Sequence, residues 1–172
     1  MNAYLVLGPE STGTRLTTRI LMKAGCLGSD QHAQIWDNDP FPSPSQPIVF
    51  RRSIPHNKTW PDIPRIVQSL REKGYTVQAV VTARDWHATS KSQAKLHVKN
   101  QSEAYANLGK VYPYIFDALA KENVPYILVT YESIIHNTSS INTLLEYLQL
   151  PTLEKKKLNE LNIQNGNEKW YA

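Results

Sequence analysis

The first twenty-five residues constrain the fold more than any other part of the chain. An apolar run over residues 3–8 stops at Gly8-Pro9, and from Thr14 to Ala24 the positions Leu16, Ile20, Leu21 and Ala24 recur until Gly25. The first pattern reads as a buried strand, the second as an amphipathic helix stopped by glycine. Between them lies Gly8-Pro9-Glu10-Ser11-Thr12-Gly13, two glycines separated by four residues. A strand leading through such a loop into a helix opens many α/β folds. It also places unbonded backbone amides and a partial positive charge where an anion can sit.

The same punctuation recurs downstream. Ile48-Val49-Phe50 reads as a second strand, and Asp62 to Lys73 as a helix closed by Gly74. Val77 to Thr82 is a third strand, rich in β-branched residues and bounded by Arg84-Asp85. A long helix is expected from about Ser102 to Lys121, with Pro113 as a candidate kink, and then a fourth strand over Tyr126 to Thr130. Ile141, Leu144, Leu145 and Leu148 form another helical stripe, ended by Pro151. Pro40, Pro42, Pro44 and Pro47 keep residues 37–47 out of helix and sheet interiors, which leaves a loop on the surface or over a cleft.

Strands alternating with helices predict an α/β three-layer sandwich with a mainly parallel central sheet, P-loop NTPase-like, spanning residues 1–172 as a single domain. Ligands of such sheets lie beyond the carboxyl ends of the strands. That rule directs attention to residues 8–15, 51–56, 84–92 and 131–133.

Composition narrows the function classes. The chain has 172 residues, of which 41% are hydrophobic and 20% charged, enough for an ordinary core and too apolar for a disordered chain. No apolar run approaches the roughly 20 residues that cross a bilayer. The N-terminus carries neither a basic leader nor a small-residue cleavage site, so a soluble cytoplasmic protein is expected, with no membrane partner. A single cysteine, Cys26, excludes an intramolecular disulfide and a multi-cysteine zinc site. His87, His97 and His136 show no ligand spacing, so no metal is expected. The net charge of +4 suits an anionic ligand. The basic residues are dispersed, though, and Lys155-Lys156-Lys157 reads as a solvated helix face, so no nucleic-acid partner is expected.

In nucleotide-hydrolysing phosphate loops a lysine follows the second glycine; here Thr14 takes that place and Arg15 comes next. ATP or GTP hydrolysis is disfavoured accordingly. On its own the loop is equally well read as a tight turn with Ser11 or Thr12 capping the helix. A second feature favours the anion: Arg84 ends the third strand and Ser92 follows eight residues later, a pair able to meet one further phosphate. A nucleotide with phosphates at opposite ends of its ribose needs two such clamps.

With these residues in place the chain resembles the sulfotransferases that use 3′-phosphoadenosine 5′-phosphosulfate (PAPS). Ser11-Thr12-Gly13-Thr14-Arg15 looks like a variant of that family's 5′-phosphosulfate loop, and Arg84 with Ser92 matches its 3′-phosphate motif. Tyr131-Glu132-Ser133-Ile134 and the helix closing on Leu148-Gln149-Leu150-Pro151 resemble two further family segments. The likeness runs from residue 4 to residue 151. It implies a cofactor site made of Ser11, Thr12, Gly13, Thr14, Arg15, Leu16, Arg84 and Ser92, with Arg15 supplying charge that the loop otherwise lacks. The family's basic, glycine-containing C-terminal segment has no evident counterpart, Lys169 being a poor substitute. The implied product is adenosine 3′,5′-bisphosphate (PAP), and the implied acceptor is a hydroxyl or amine on a small molecule or glycan.

Sulfuryl transfer also needs a base and a grip on the sulfate. The second strand runs into Arg51-Arg52-Ser53-Ile54-Pro55-His56. Ser53 stands where the cytosolic members of the family place a histidine, and His56 follows the proline. His56 is the first candidate for base, since imidazole titrates near neutral pH. Asp37 and Asp39 are its rivals, with His32 behind them; Glu10, beside the anion site, is a further candidate for base or a helix-end charge, and Arg51 and Arg52 are candidates for the sulfate. Two other functions stay open at this point: a P-loop nucleotide or small-molecule kinase, and a non-catalytic nucleotide-binding module.

Overall fold

The computed structural model describes residues 1–30, 42–55, 59–96 and 100–171. Four parallel strands form one sheet: β1 (Asn2–Pro9), β2 (Ile48–Ile54), β3 (Thr76–Ala83) and β4 (Tyr126–Thr130), in the order β2-β1-β3-β4. Helices α1 (Thr14–Lys23), α2 (Ile63–Glu72), α3 (Trp86–Leu96) and α4 (Gln101–Lys121) lie between the strands, and α5 (Tyr131–His136), α6 (Ser139–Tyr147), α7 (Lys155–Glu160) and α8 (Glu168–Tyr171) follow them. The expected α/β architecture with a parallel sheet between helical layers is the one found.

Strand parity sorts the core into two halves. Leu5, Leu7, Phe50, Ala79 and Val81 face α2 and α4, meeting Val67, Leu70, Val111 and Ile115. Tyr4, Val6, Val49, Val80 and Val129 face α1 and α6, meeting Ile20, Leu21, Ile141 and Leu145. Burial on both faces explains why these strands read as continuous apolar runs rather than as alternating ones.

Three local departures from the sequence reading have physical causes. Helix α4 runs unbroken through Pro113. Both Pro113 and Gly109 are exposed, so the Gly109 carbonyl that loses its N–H partner is open to water. Helix α3 has a weak apolar stripe because the face it buries carries Thr89, Ser90, Ser92 and Gln93, and its N-cap is Asp85, whose Oδ1 accepts from the Ala88 amide at 2.8 Å. The described part of the proline-rich loop leads into the start of β2, and the Ser43 carbonyl accepts from the Tyr75 hydroxyl just before β3. Residues 42–47 therefore lie at the amino edge of the sheet, away from the strand ends where ligands sit.

From β1 the chain passes to β2 on one side, then crosses back to β3 on the other. The crevice between β1 and β3 at their carboxyl ends is thus the topological switch point. The strands approach closely there. The Thr12 hydroxyl donates to the Pro9 carbonyl, and the Thr82 hydroxyl, 2.8 Å from Thr12 Oγ1 and 3.3 Å from the Leu7 carbonyl, donates to one or the other of them. A Cβ at Gly8 would collide with Thr82 Oγ1 and lie 2.8 Å from both Thr12 Oγ1 and the Thr82 carbonyl. Gly8→Ala is accordingly expected to cost about 1–3 kcal/mol, the range for overpacking. The loss reads as a lower urea midpoint with an unchanged slope, and an unchanged midpoint would contradict the packing described.

Candidate functional site

The loop from Gly8 to Arg15 ends in backbone that only certain residues adopt. Ser11 has φ 69° and Gly13 φ 95°, both left-handed. Gly13 is the N-cap of α1, and no side chain caps that helix. The Ser11 and Thr12 capping considered from sequence does not occur. Thr12 instead turns inward onto Pro9 and Thr82, and the Thr14 hydroxyl pairs with Ser53 at 3.0 Å. The amides of the first turn of α1 have no partner within the helix, and no acidic side chain occupies that turn. Ser11 Oγ is buried and makes no hydrogen bond.

This loop forms the floor of a cavity of about 680 Å³. Ser11, Gly13, Thr14, Arg15, Leu16, Arg84 and Ser92 all line it, seven of the eight residues expected to hold a cofactor. Thr12 is the exception. Of the residues proposed for catalysis, Arg51 lines the cavity. Arg52, adjacent on the strand, faces the opposite way with its guanidinium 4.6 Å from the Phe50 ring centre. Burial depresses both arginines. Arg52 is lowered to about 10, while Arg51 is lowered by burial and by the charge of Arg15, with Asp30 opposing. His56 and Asp37 lie outside the described residues, as do Asp39 and His32. Among the described residues no three His, Cys, Asp or Glu side chains converge in a metal-holding group.

Arg84 joins three parts of the site. Its Nε donates to Asn167 Oδ1 at 2.6 Å, one terminal nitrogen to the Ser11 carbonyl at 2.9 Å, and the other to the Gly166 carbonyl at 2.8 Å. The guanidinium lies 4.6 Å from the centre of the Tyr131 ring. Burial lowers its pKa, and the nearby Tyr131, Glu132, Asp85 and Tyr171 oppose that shift. Both terminal nitrogens keep a second N–H, since a guanidinium carries five donors.

Sequence reasoning missed how the C-terminal tail completes this wall. The Tyr131 hydroxyl donates to the Gln164 carbonyl and accepts from the Gly166 amide, at 2.8 and 2.9 Å. Glu132 Oε1 accepts from Asn167 and from the Asp85 amide. Lys91 donates to the Trp170 carbonyl at 2.9 Å, and the Trp170 ring lies between Lys169 and Lys95, at 4.8 and 5.9 Å. Gly166, Lys169 and Trp170 thereby line the cavity beside Ser92 and Arg84. Lys169, discounted from sequence, stands on the wall after all. The only sequence signal for this was Tyr131-Glu132 directly after a strand.

No protein-family profile matches the chain, and no curated protein matches it. Among solved structures it is similar to a retinol dehydratase crystallised with androsterone and the inactive cofactor PAP, with a TM-score of 0.51 and 14% identity. The match covers 92% of this chain and 62% of that one, so this chain spans under two thirds of its neighbour's length. The likeness supports the α/β fold with a parallel sheet between helical layers. Arg84→Ala is expected to release the tail: limited proteolysis should cut faster within residues 162–171. The denaturation midpoint should fall too, a hydrogen bond to a charged group contributing about 1.5–3 kcal/mol. Wild-type cleavage rates would show that the tail is held by something else.

Proposed function

We propose that this chain is a small sulfotransferase that takes its sulfuryl group from PAPS and passes it to a hydroxyl or amine of a small molecule or glycan. The observation that carries the reading is the convergence of an uncapped α1 N-terminus, Arg15, Arg84 and Ser92 on one cavity at the switch point of the sheet. The residues present fit a nucleotide with two separated anionic ends. The unbonded Ser11 hydroxyl and first-turn amides suit one end, while Arg84, Ser92 and Lys169 suit the other.

PAPS supplies the reaction as follows: the acceptor's oxygen or nitrogen bonds to sulfur while the bond from sulfur to the bridging phosphate oxygen breaks, that oxygen keeps the electron pair as PAP departs, and the acceptor's proton passes to a base. The first-turn amides of α1 and Arg15 stabilise charge developing on the leaving phosphate, the kind of preorganised electrostatics that dominates such steps. Arg51, buried and facing the cavity, holds the transferring sulfate. His56 is the proposed base, with Asp37 as its alternative. The kinase reading lacks its lysine, since Thr14 points at Ser53.

Two experiments test this reading. Calorimetry should show PAP binding more tightly than ADP with magnesium, by about tenfold or more if one charge-assisted phosphate contact separates them. Preference for ADP with magnesium would support a kinase, PAP binding with no transferase activity would support a non-catalytic nucleotide-binding module, and no binding of either would overturn all three readings. In a sulfuryl-transfer assay, His56→Ala should lower kcat by about 10²–10⁴, the usual contribution of a general base, while leaving PAP affinity intact. Loss of rate in Asp37→Asn but not in His56→Ala would move the role to the carboxylate.

A further inference from the structure

Arg84 has a carboxylate neighbour that it does not meet. The register of β3 against β4 pairs Ala83 with Thr130, so the chain leaves the two strands side by side as Arg84-Asp85 and Tyr131-Glu132. Glu132 then falls in the first turn of α5, where a carboxylate complements the helix dipole. A half-buried arginine and glutamate so close ordinarily join in a two-pronged ion pair. Among the described residues these two form none. Glu132 acts on Arg84 as a nearby charge, one of those that oppose the lowering of its pKa by burial. Arg84 lines the cavity and Glu132 does not.

Asn167 stands between them. Its Oδ1 accepts from Arg84 Nε at 2.6 Å, and its Nδ2 donates to Glu132 Oε1 at 2.8 Å. A guanidinium can only donate and a carboxylate only accept, so one orientation of the carboxamide satisfies both. Asn167 is buried, and its backbone is held on both sides. Its amide donates to Asn165 Oδ1 at 3.0 Å, and its carbonyl accepts from the Trp170 amide at 2.9 Å. The Glu132 oxygen that meets Asn167 also accepts from the Asp85 amide at 3.1 Å, which fixes the far side of the bridge.

We propose that Asn167 is a positioning residue for the second anionic end of the nucleotide: its neutral carboxamide keeps Arg84 and Glu132 apart, so the guanidinium stays on the Ser11 carbonyl and offers its remaining N–H groups to the ligand. The inference rests on the sulfotransferase reading and deepens it. Without the amide, a direct ion pair would draw the guanidinium toward α5 and spend on Glu132 the donors that a phosphate requires. A carboxylate at position 167 would spend them where they stand.

The test is a double-mutant cycle on the full chain, with PAP affinity read by calorimetry. Asn167→Ala should weaken PAP binding by about tenfold or more, the loss of one charge-assisted contact. Glu132→Gln keeps an oxygen for the Asp85 amide but cannot hold Arg84 as an ion pair. In the Asn167→Ala background it should therefore restore most of the lost affinity. Removing a negative charge strengthens anion binding in any background, so the decisive quantity is the coupling. The gain from Glu132→Gln should be larger by about fivefold or more in Asn167→Ala than in the wild type. Equal gains in the two backgrounds would overturn the proposal, as would an Asn167→Ala variant that binds PAP as tightly as the wild type. Asn167→Asp keeps the shape of the side chain and an acceptor for Arg84, and it decides the matter if Asn167→Ala fails to fold. A merely structural role leaves PAP affinity unchanged in that variant, which would sink the proposal; the expected result is a loss of about tenfold or more. Failure of wild-type PAP binding would instead overturn the sulfotransferase reading, and this proposal with it.

Discussion

A guanidinium at the carboxyl end of β3 holds the site together. Arg84 bonds the Ser11 carbonyl of the phosphate loop and the Gly166 and Asn167 oxygens of the tail, while stacking over Tyr131. A cation removed from water is tolerated only where several acceptors replace its hydration. Here those acceptors come from two places far apart in sequence, Ser11 and the Gly166-Asn167 pair, with the Tyr131 ring against the guanidinium. Arg84 thereby fixes the loop's left-handed turn at Ser11 relative to the tail that roofs it, and its remaining N–H groups are oriented before any ligand arrives.

The floor beneath it depends on a polar seam inside an apolar sheet. Thr12 donates to the Pro9 carbonyl and the one Thr82 proton goes to Thr12 or to the Leu7 carbonyl, so β1 and β3 pack at glycine distance with both hydroxyls engaged at that seam. Because Thr12 is spent on this seam, it is not available as a cap for α1. The helix amides face the cavity in consequence. Stability of the strand pair and availability of the anion site are two results of one side-chain rotation.

The cavity wall is asymmetric in a way that follows from the strand order. The sheet order β2-β1-β3-β4 puts the Arg84, Ser92 and tail residues on one side of the loop and the Arg15, Arg51 and Asp30 group on the other.

The sequence by itself determined the period of each element and the chemistry of its ends. Alternation of apolar runs with helical stripes, the glycine pair around the first loop, and the Arg84–Ser92 spacing are all local patterns, and local backbone preference encodes them. That was enough to read the parallel sheet and seven of the residues lining the cavity. It was not enough to choose between Arg51 and Arg52: strand parity says only that they face opposite ways, and the packing of α1 on one face of the sheet and of α2 and α4 on the other decides which of them reaches the cavity. Tertiary structure alone decided that Thr12 turns inward and that Lys169 and Trp170 reach the wall. Those placements depend on contacts across 70 to 83 residues of chain, as between Thr12 and Thr82 or Arg84 and Asn167, whose energy no local spacing records.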